Sequence, residues 1–150
     1  MNLFWVLLSA HICGDVLSYS PLLSKAKRSN SLLLKTNSIA KHCLVHAGFI
    51  LIVGWLAGIE GLFVAAGYIF VVHFGIDWFR IQIEPHFFNP KEFVVIDKRQ
   101  FVKYLLHKKT PEGDIETFMQ KYFWTWLGVN LTDQSLHLAS MVLFVWLVAR

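Results

Sequence analysis

The chain has 150 residues, 55% of them apolar and only 16% charged, with a mean hydropathy of +0.49. That is one domain's length, too short to hide so much apolar surface from water, so a bilayer is the expected solvent; the 15% aromatic content and low charge exclude a disordered chain. The net charge of +4 is concentrated, with five of the fourteen Lys and Arg residues at 25–41 and eight between Arg80 and Lys121, a pattern of membrane topology rather than nucleic-acid binding, for which no motif is present.

Four apolar spans are predicted, at about 2–17, 42–59, 62–83 and 124–148, each near the roughly 20 residues a bilayer crossing needs. The first lacks a basic n-region and carries His11 and Asp15, so it reads as a retained helix rather than a signal peptide. A tight turn at Gly58-Ile59-Glu60-Gly61 makes the second and third spans an antiparallel hairpin. Glu84-Pro85 and Asn89-Pro90 are expected to stop the third span. In the polar segment 84–122, Phe93 to Ile96 reads as a short strand or interfacial stretch and Gln100 to His107 as an amphipathic helix, the segment lying along the membrane surface. Thr110-Pro111-Glu112 then opens a helix that runs into span four. The expected architecture is all-α: a single four-span domain, an integral membrane four-helix bundle, with a polar segment between helices 3 and 4. Positive-inside orientation places both basic connections in the cytoplasm and both termini outside. Cys13 and Cys43 lie in apolar runs and offer no disulfide framework.

Three acids stay inside the spans, and each has a histidine four residues away: His11 with Asp15, His73 with Asp77, Asp133 with His137. Span two repeats the spacing as His42 and His46. Residues four apart share a helix face, and the reversed order in span four is what an antiparallel helix needs to stay in register. Counting helical rise from the outer ends puts His11, His46, His73 and His137 in one layer roughly 15–20 Å deep, with Asp15, Asp77, Asp133 and His42 about one turn further in. One such pair alone reads as an interhelical hydrogen bond. Four at matching depth predict a metal centre, because buried carboxylates need compensation and a cation offers it where imidazoles converge. Mixed His and carboxylate donors suit one or two Zn, Mn or Fe ions. The expected ligands are His11, Asp15, His46, His73, Asp77, Asp133 and His137, with the three aspartates as catalytic carboxylates and His42 and Gln134 as residues that orient them. Lys41 and Arg80 are expected to draw an anionic, phosphate-bearing substrate to the mouth.

Ala10-His11-Ile12-Cys13-Gly14-Asp15, the basic connection Lys25 to Arg28, His46, His73-Phe74-Gly75-Ile76-Asp77 and Asp133-Gln134-Ser135-Leu136-His137 resemble, in order, the bacterial and phage membrane family catalogued as domain of unknown function 3307. The resemblance covers all but the 84–122 segment and departs at Tyr19, where the family often has Gln, and at Val16, where it has an aromatic. It implies a bacterial inner-membrane protein and assigns no reaction. A more distant likeness, carried by the two His-x-x-x-Asp pairs alone, is to inner-membrane-associated metal-dependent hydrolases.

Three functions are consistent with these features. One is a membrane-embedded metal-dependent hydrolase of a phosphoester or lipid-linked substrate at the cytoplasmic leaflet. A second is a redox protein with haem or di-iron held by histidines. The third is a non-catalytic membrane subunit whose polar layers specify helix packing or the binding of a protein partner or a second copy. Membrane lipids are expected partners, and nucleic acid is not. Walker, dinucleotide-binding, Gly-x-Ser-x-Gly and Cys-x-x-Cys motifs are absent from the sequence.

Overall fold

The computed structural model describes residues 2–96, 98–107 and 113–150. Within them the chain forms six helices and no strand: α1 (Leu3–Leu17), α2 (Pro21–Lys27), α3 (Leu32–Leu56), α4 (Leu62–Phe87), α5 (Lys98–His107) and α6 (Gly113–Val148). Local sequence starts most of them. Asn2 Oδ1 accepts from the Phe4 amide, Ser20 Oγ from Leu23 with Pro21 in the first turn, and Ser31 Oγ from Leu34, each satisfying an amide that a helix leaves without an internal partner. The α3–α4 hairpin turns as expected at Gly58 and Gly61, whose φ angles of 66° and 70° favour glycine.

Three helices, α3, α4 and α6, are long and apolar enough to cross a membrane, and α1 with α2 makes a fourth candidate only as a span bent by 100°. The expected first span is therefore corrected: α1 has 15 residues, a rise of about 22 Å against a hydrocarbon core of about 30 Å. The chain then turns sharply at Ser18 to Ser20, and α2 packs back on α3. Two further boundaries move: helix α3 begins ten residues before His42, and α4 runs through Pro85 to Phe87, whereas α6 runs from Gly113 into span four without a break, as expected. Proline disfavours helix in the residue before it, but here the Glu84 carboxylate is gripped by Arg28 and Arg80, and the Phe88 amide closes onto the Glu84 carbonyl at 3.0 Å. Tertiary ion pairs override the local signal. Phe93 to Ile96 form no strand, and Ile96 instead accepts from the Tyr19 hydroxyl at 3.1 Å. Gln100 to His107 are helical as expected, and the expected cap at Thr110-Pro111-Glu112 lies outside the described residues.

Helices α1, α3, α4 and α6 pack around a common centre, α1 and α6 each contacting one another and α3 or α4. At one end lies an apolar cluster of Leu7, Ile50, Ile69, Met141 and Phe144; Phe88, Ile115, Phe118 and Met119 form another around the polar segment. Between them the usual burial pattern is inverted. His46, His73, His137, Asp77 and Asp133 are each at most 6% exposed, whereas Phe63, Leu33 and Trp55 are 84%, 81% and 75% exposed. A chain whose charges are inside and whose large apolar side chains are outside is built for an apolar solvent.

Candidate metal centre

Each of the four packed helices delivers two side chains one turn apart to the centre: His11 and Asp15 from α1, His42 and His46 from α3, His73 and Asp77 from α4, Asp133 and His137 from α6. The histidines form one layer. His11 lies 5.0, 5.3 and 5.2 Å, between ring centroids, from His46, His73 and His137; His46 and His73 are 4.2 Å apart, and His73 stacks on His137 at 3.9 Å. Gly14 makes this approach possible, because a Cβ there would overlap the His46 ring.

Hydrogen-bond bookkeeping shows which lone pairs remain. Gln134 Nε2 donates to Asp15 Oδ2 at 3.3 Å, which fixes the amide's orientation because a carboxylate only accepts. Gln134 Oε1 therefore accepts from His11 Nε2 at 3.2 Å, leaving His11 Nδ1 as a buried lone pair with no partner. The Ser18 hydroxyl gives its one proton to the Gly14 carbonyl, so at 3.3 Å it accepts from His42 Nδ1. His42 Nε2 is then left between two carboxylates, 3.8 Å from Asp15 Oδ1 and 3.9 Å from Asp77 Oδ2. A lone pair facing two anions is repulsive, and either a second proton on the ring or a cation between the three groups removes the repulsion. Both ring nitrogens of His73, His46 Nδ1 and Asp133 Oδ1 are also buried without a hydrogen-bond partner, a cost of several kcal/mol in total at roughly 1–3 kcal/mol each.

These atoms converge as metal ligands do. Four triads have ligand atoms within 4.8 Å of one another: His11/His46/His73, Asp15/His42/His46, His42/His73/Asp77 and Asp77/Asp133/His137. Asp15/His42/His46 and Asp77/Asp133/His137 share no residue. Two donors about 2.0–2.2 Å from a tetrahedral ion stand roughly 3.3–3.6 Å apart. In the first triad His46 Nε2 is 3.3 Å from Asp15 Oδ1, and in the second His137 Nε2 is 3.9 Å from both Asp77 Oδ1 and Asp133 Oδ1. The other oxygens of the second triad are taken: Asp77 Oδ2 by Lys27 Nζ at 2.6 Å, Asp133 Oδ2 by Arg80 Nη1 at 2.8 Å. Each carboxylate thus has one oxygen held by a cation and one facing His137. The donor set fits a divalent ion, with partners that orient the ligands as metal sites require.

All seven expected ligands meet here. Gln134 orients His11 and Asp15 as anticipated, whereas His42 is a member of two triads rather than an outlying support. Lys41 is exposed and does not border the cavity beside the centre. Arg80 borders it, but not as an open cation, since Glu84, Asp133 and Asn130 hold its guanidinium at 3.0, 2.8 and 3.0 Å. The sequence reading missed Lys27, Arg28 and Glu84. Arg28 forms two parallel bonds to Glu84, at 2.6 and 2.7 Å, which dock α2 against α4. Lys25 to Arg28 read as a plain basic connection, and the only hint of a fold-back was the Ser20-Pro21 helix start.

The cavity beside the centre measures about 310 Å³, within the range of ligand pockets. Asp15, Asp77, His42, Lys27 and Arg80 border its polar side, and Phe93, Phe101 and Trp126 its apolar side. Over residues 3–150 the sequence matches the family described as "Protein of unknown function (DUF3307)". No curated protein and no solved structure matches the chain significantly.

Proposed function

Starting from the fact that the chain belongs to the DUF3307 family, whose description assigns no reaction, we propose that it is a membrane-embedded metal-binding protein acting as a metal-dependent hydrolase on a phosphoester. The observation that carries this reading is the convergence of His and Asp ligand atoms in triads, where Asp133 Oδ1, both ring nitrogens of His46 and of His73, and His11 Nδ1 are buried without a hydrogen-bond partner. Asp15, His42 and His46 would hold one ion and Asp77, Asp133 and His137 a second, with His11 and His73, which form a triad with His46, as further donors to the first; the donors suit Zn, Mn or Fe. A bound divalent ion supplies Lewis acidity for hydrolysis near neutral pH.

The chain's own residues do the rest. Asp15, with 30% of its side chain exposed, is the most accessible of the three carboxylates and borders the cavity, so the ion it would hold would adjoin the space that a substrate enters. Lys27 spends one of its three N–H donors on Asp77 and directs the others at an anionic group. Charge favours that substrate class. The carboxylates of Asp15, Asp77, Asp133 and Glu84 face the cations Lys27, Arg28 and Arg80, one negative charge in excess; two divalent ions would turn this into an excess of three positive charges, which a phosphate offsets. The haem alternative suits the geometry less well, since His73 and His137 stack face to face at 3.9 Å and leave no slot for a macrocycle. In this reading α3, α4 and α6, with α1 and α2 together as one bent span, cross a bacterial inner membrane as a four-helix bundle, with the stretches 25–41 and 84–122 in the cytoplasm and both termini outside.

The test is elemental analysis, with an absorption spectrum, of protein purified in detergent without chelator, beside Asp77→Ala and His137→Ala. One or two equivalents of Zn, Mn or Fe in the wild type, and loss in both variants of the ion that Asp77, Asp133 and His137 would hold, is the expected result. A wild type without metal, or variants with the full wild-type metal content, overturns the reading and leaves the polar layers as determinants of helix packing or partner binding.

A further inference from the structure

A second concavity, of about 360 Å³, lies between α4 and α6, on the other side of Arg80 from the cavity beside the centre. Its walls are Phe79, Ile83 and Phe87 of α4 and Gly128, Thr132 and Leu136 of α6, and Arg80 and Asp133 also border it. Phe79 and Leu136 are 59% and 44% exposed, so the groove opens at the outer surface of two helices that are apolar enough to cross a membrane. Arg80 borders both spaces, one polar and one apolar.

An apolar groove on a membrane-facing surface is filled by hydrocarbon, because an empty one forfeits its dispersion contacts. What sets this groove apart is the charge in it. Arg80 gives three of its five N–H donors to Glu84, Asp133 and Asn130 and, among the described residues, keeps two. An occupant with only a hydrocarbon chain would leave those donors unmet, and a free phosphate would leave the groove unfilled. We propose that the groove between α4 and α6 holds the hydrocarbon chain of an anionic phosphate lipid, whose headgroup sits at Arg80 and reaches the metal centre through the adjoining cavity. This rests on the hydrolase reading and deepens it, naming the substrate class as a membrane phospholipid or another lipid-linked phosphate that enters sideways from the bilayer.

Gly128 provides a clean block. A Cβ built there meets no heavy atom within 4 Å, so Gly128→Leu has room to start its side chain into the groove, and leucine is the better helix former. The full-length protein is reconstituted in phosphatidylcholine vesicles containing a trace of phosphatidic acid with a diazirine in one acyl chain, or of diacylglycerol with the same chain, then irradiated and peptide-mapped. Phosphatidic acid should label the α4 and α6 groove peptides about tenfold more than diacylglycerol, the ratio that roughly 1.4 kcal/mol of headgroup contact gives. Gly128→Leu should abolish the difference while retaining wild-type metal content. Equal labelling by the two probes, or selective labelling that survives Gly128→Leu, overturns the proposal. Metal content measured on the same samples separates the two readings: selective labelling without metal supports the lipid site and defeats the hydrolase, and metal with unselective labelling does the reverse.

Discussion

The His/Asp centre and the aromatic cluster around Phe118 are both shielded, but they are built from opposite materials. In the cluster, Phe88 meets Phe93, Phe118 and Tyr122 at 5.4, 5.8 and 5.6 Å, and Phe118 meets Tyr122 at 5.2 Å. Every contact there gains dispersion and apolar burial and leaves no polar group behind. In the centre, polar atoms have been brought together without enough protein partners to satisfy them. The cluster holds the polar segment against α6, whereas the centre costs stability. A protein retains such an arrangement where the unmet donors are used by something else.

The comparison breaks most visibly at Gly14. Gly14→Ala drives a methyl group against the buried His46 ring; α1 must move away from α3, separating Asp15 from His46. Copurified metal should fall by the ion that Asp15, His42 and His46 would hold, measured by elemental analysis of the folded fraction from size-exclusion chromatography. Gly48→Ala is the matched control, since its Cβ meets nothing within 4 Å: metal content should be unchanged and helix stability raised by up to about 1 kcal/mol. If both variants behave alike, the close approach at Gly14 does not matter to the centre.

Phe118→Ala tests the other side. It removes a side chain that is 2% exposed and packed among rings, at a cost of about 3–5 kcal/mol by analogy with buried phenylalanines elsewhere. Thermal unfolding should shift sharply downward while metal per folded molecule stays at the wild-type value. Parallel loss of both would mean that the two regions are energetically one.

The smallest expected effect is at the exposed rim of the polar segment. Glu92 accepts from Lys121 at 2.7 Å and from Tyr122 at 3.0 Å. These bonds, that from Lys121 foremost, hold its carboxyl below the ordinary glutamate range. A carboxyl whose folded value is depressed contributes stability above its unfolded value and loses it as pH falls through the folded one. The acid side of the wild-type stability profile should therefore flatten slightly in Glu92→Gln, with no resolvable change in melting temperature at neutral pH, because the pair is solvated and screened. A large shift at neutral pH would show that this contact anchors the segment.

The three His/Asp pairs and the His42/His46 pair were legible in the sequence because their spacing is a property of one helix: residues four apart share a face whatever the helix packs against. The all-helical class, the Gly58–Gly61 hairpin and the membrane-like composition followed from equally local or global features. Lys27 and Arg28 were not legible, because they pair with Asp77 and Glu84 across 50 and 56 residues, and only the 100° turn after α1 brings α2 back to the centre. The passage of α4 through Pro85 accompanies that same fold-back, whereas Arg80 is held by Glu84, one turn on in its own helix, and by Asp133 of α6. The sequence by itself therefore determined which side chains face inward and at what depth, since helical periodicity needs no partner. Tertiary structure decided which cations neutralise which carboxylates and which lone pairs are left over, because charge pairing depends on distances in space that no spacing along the chain encodes.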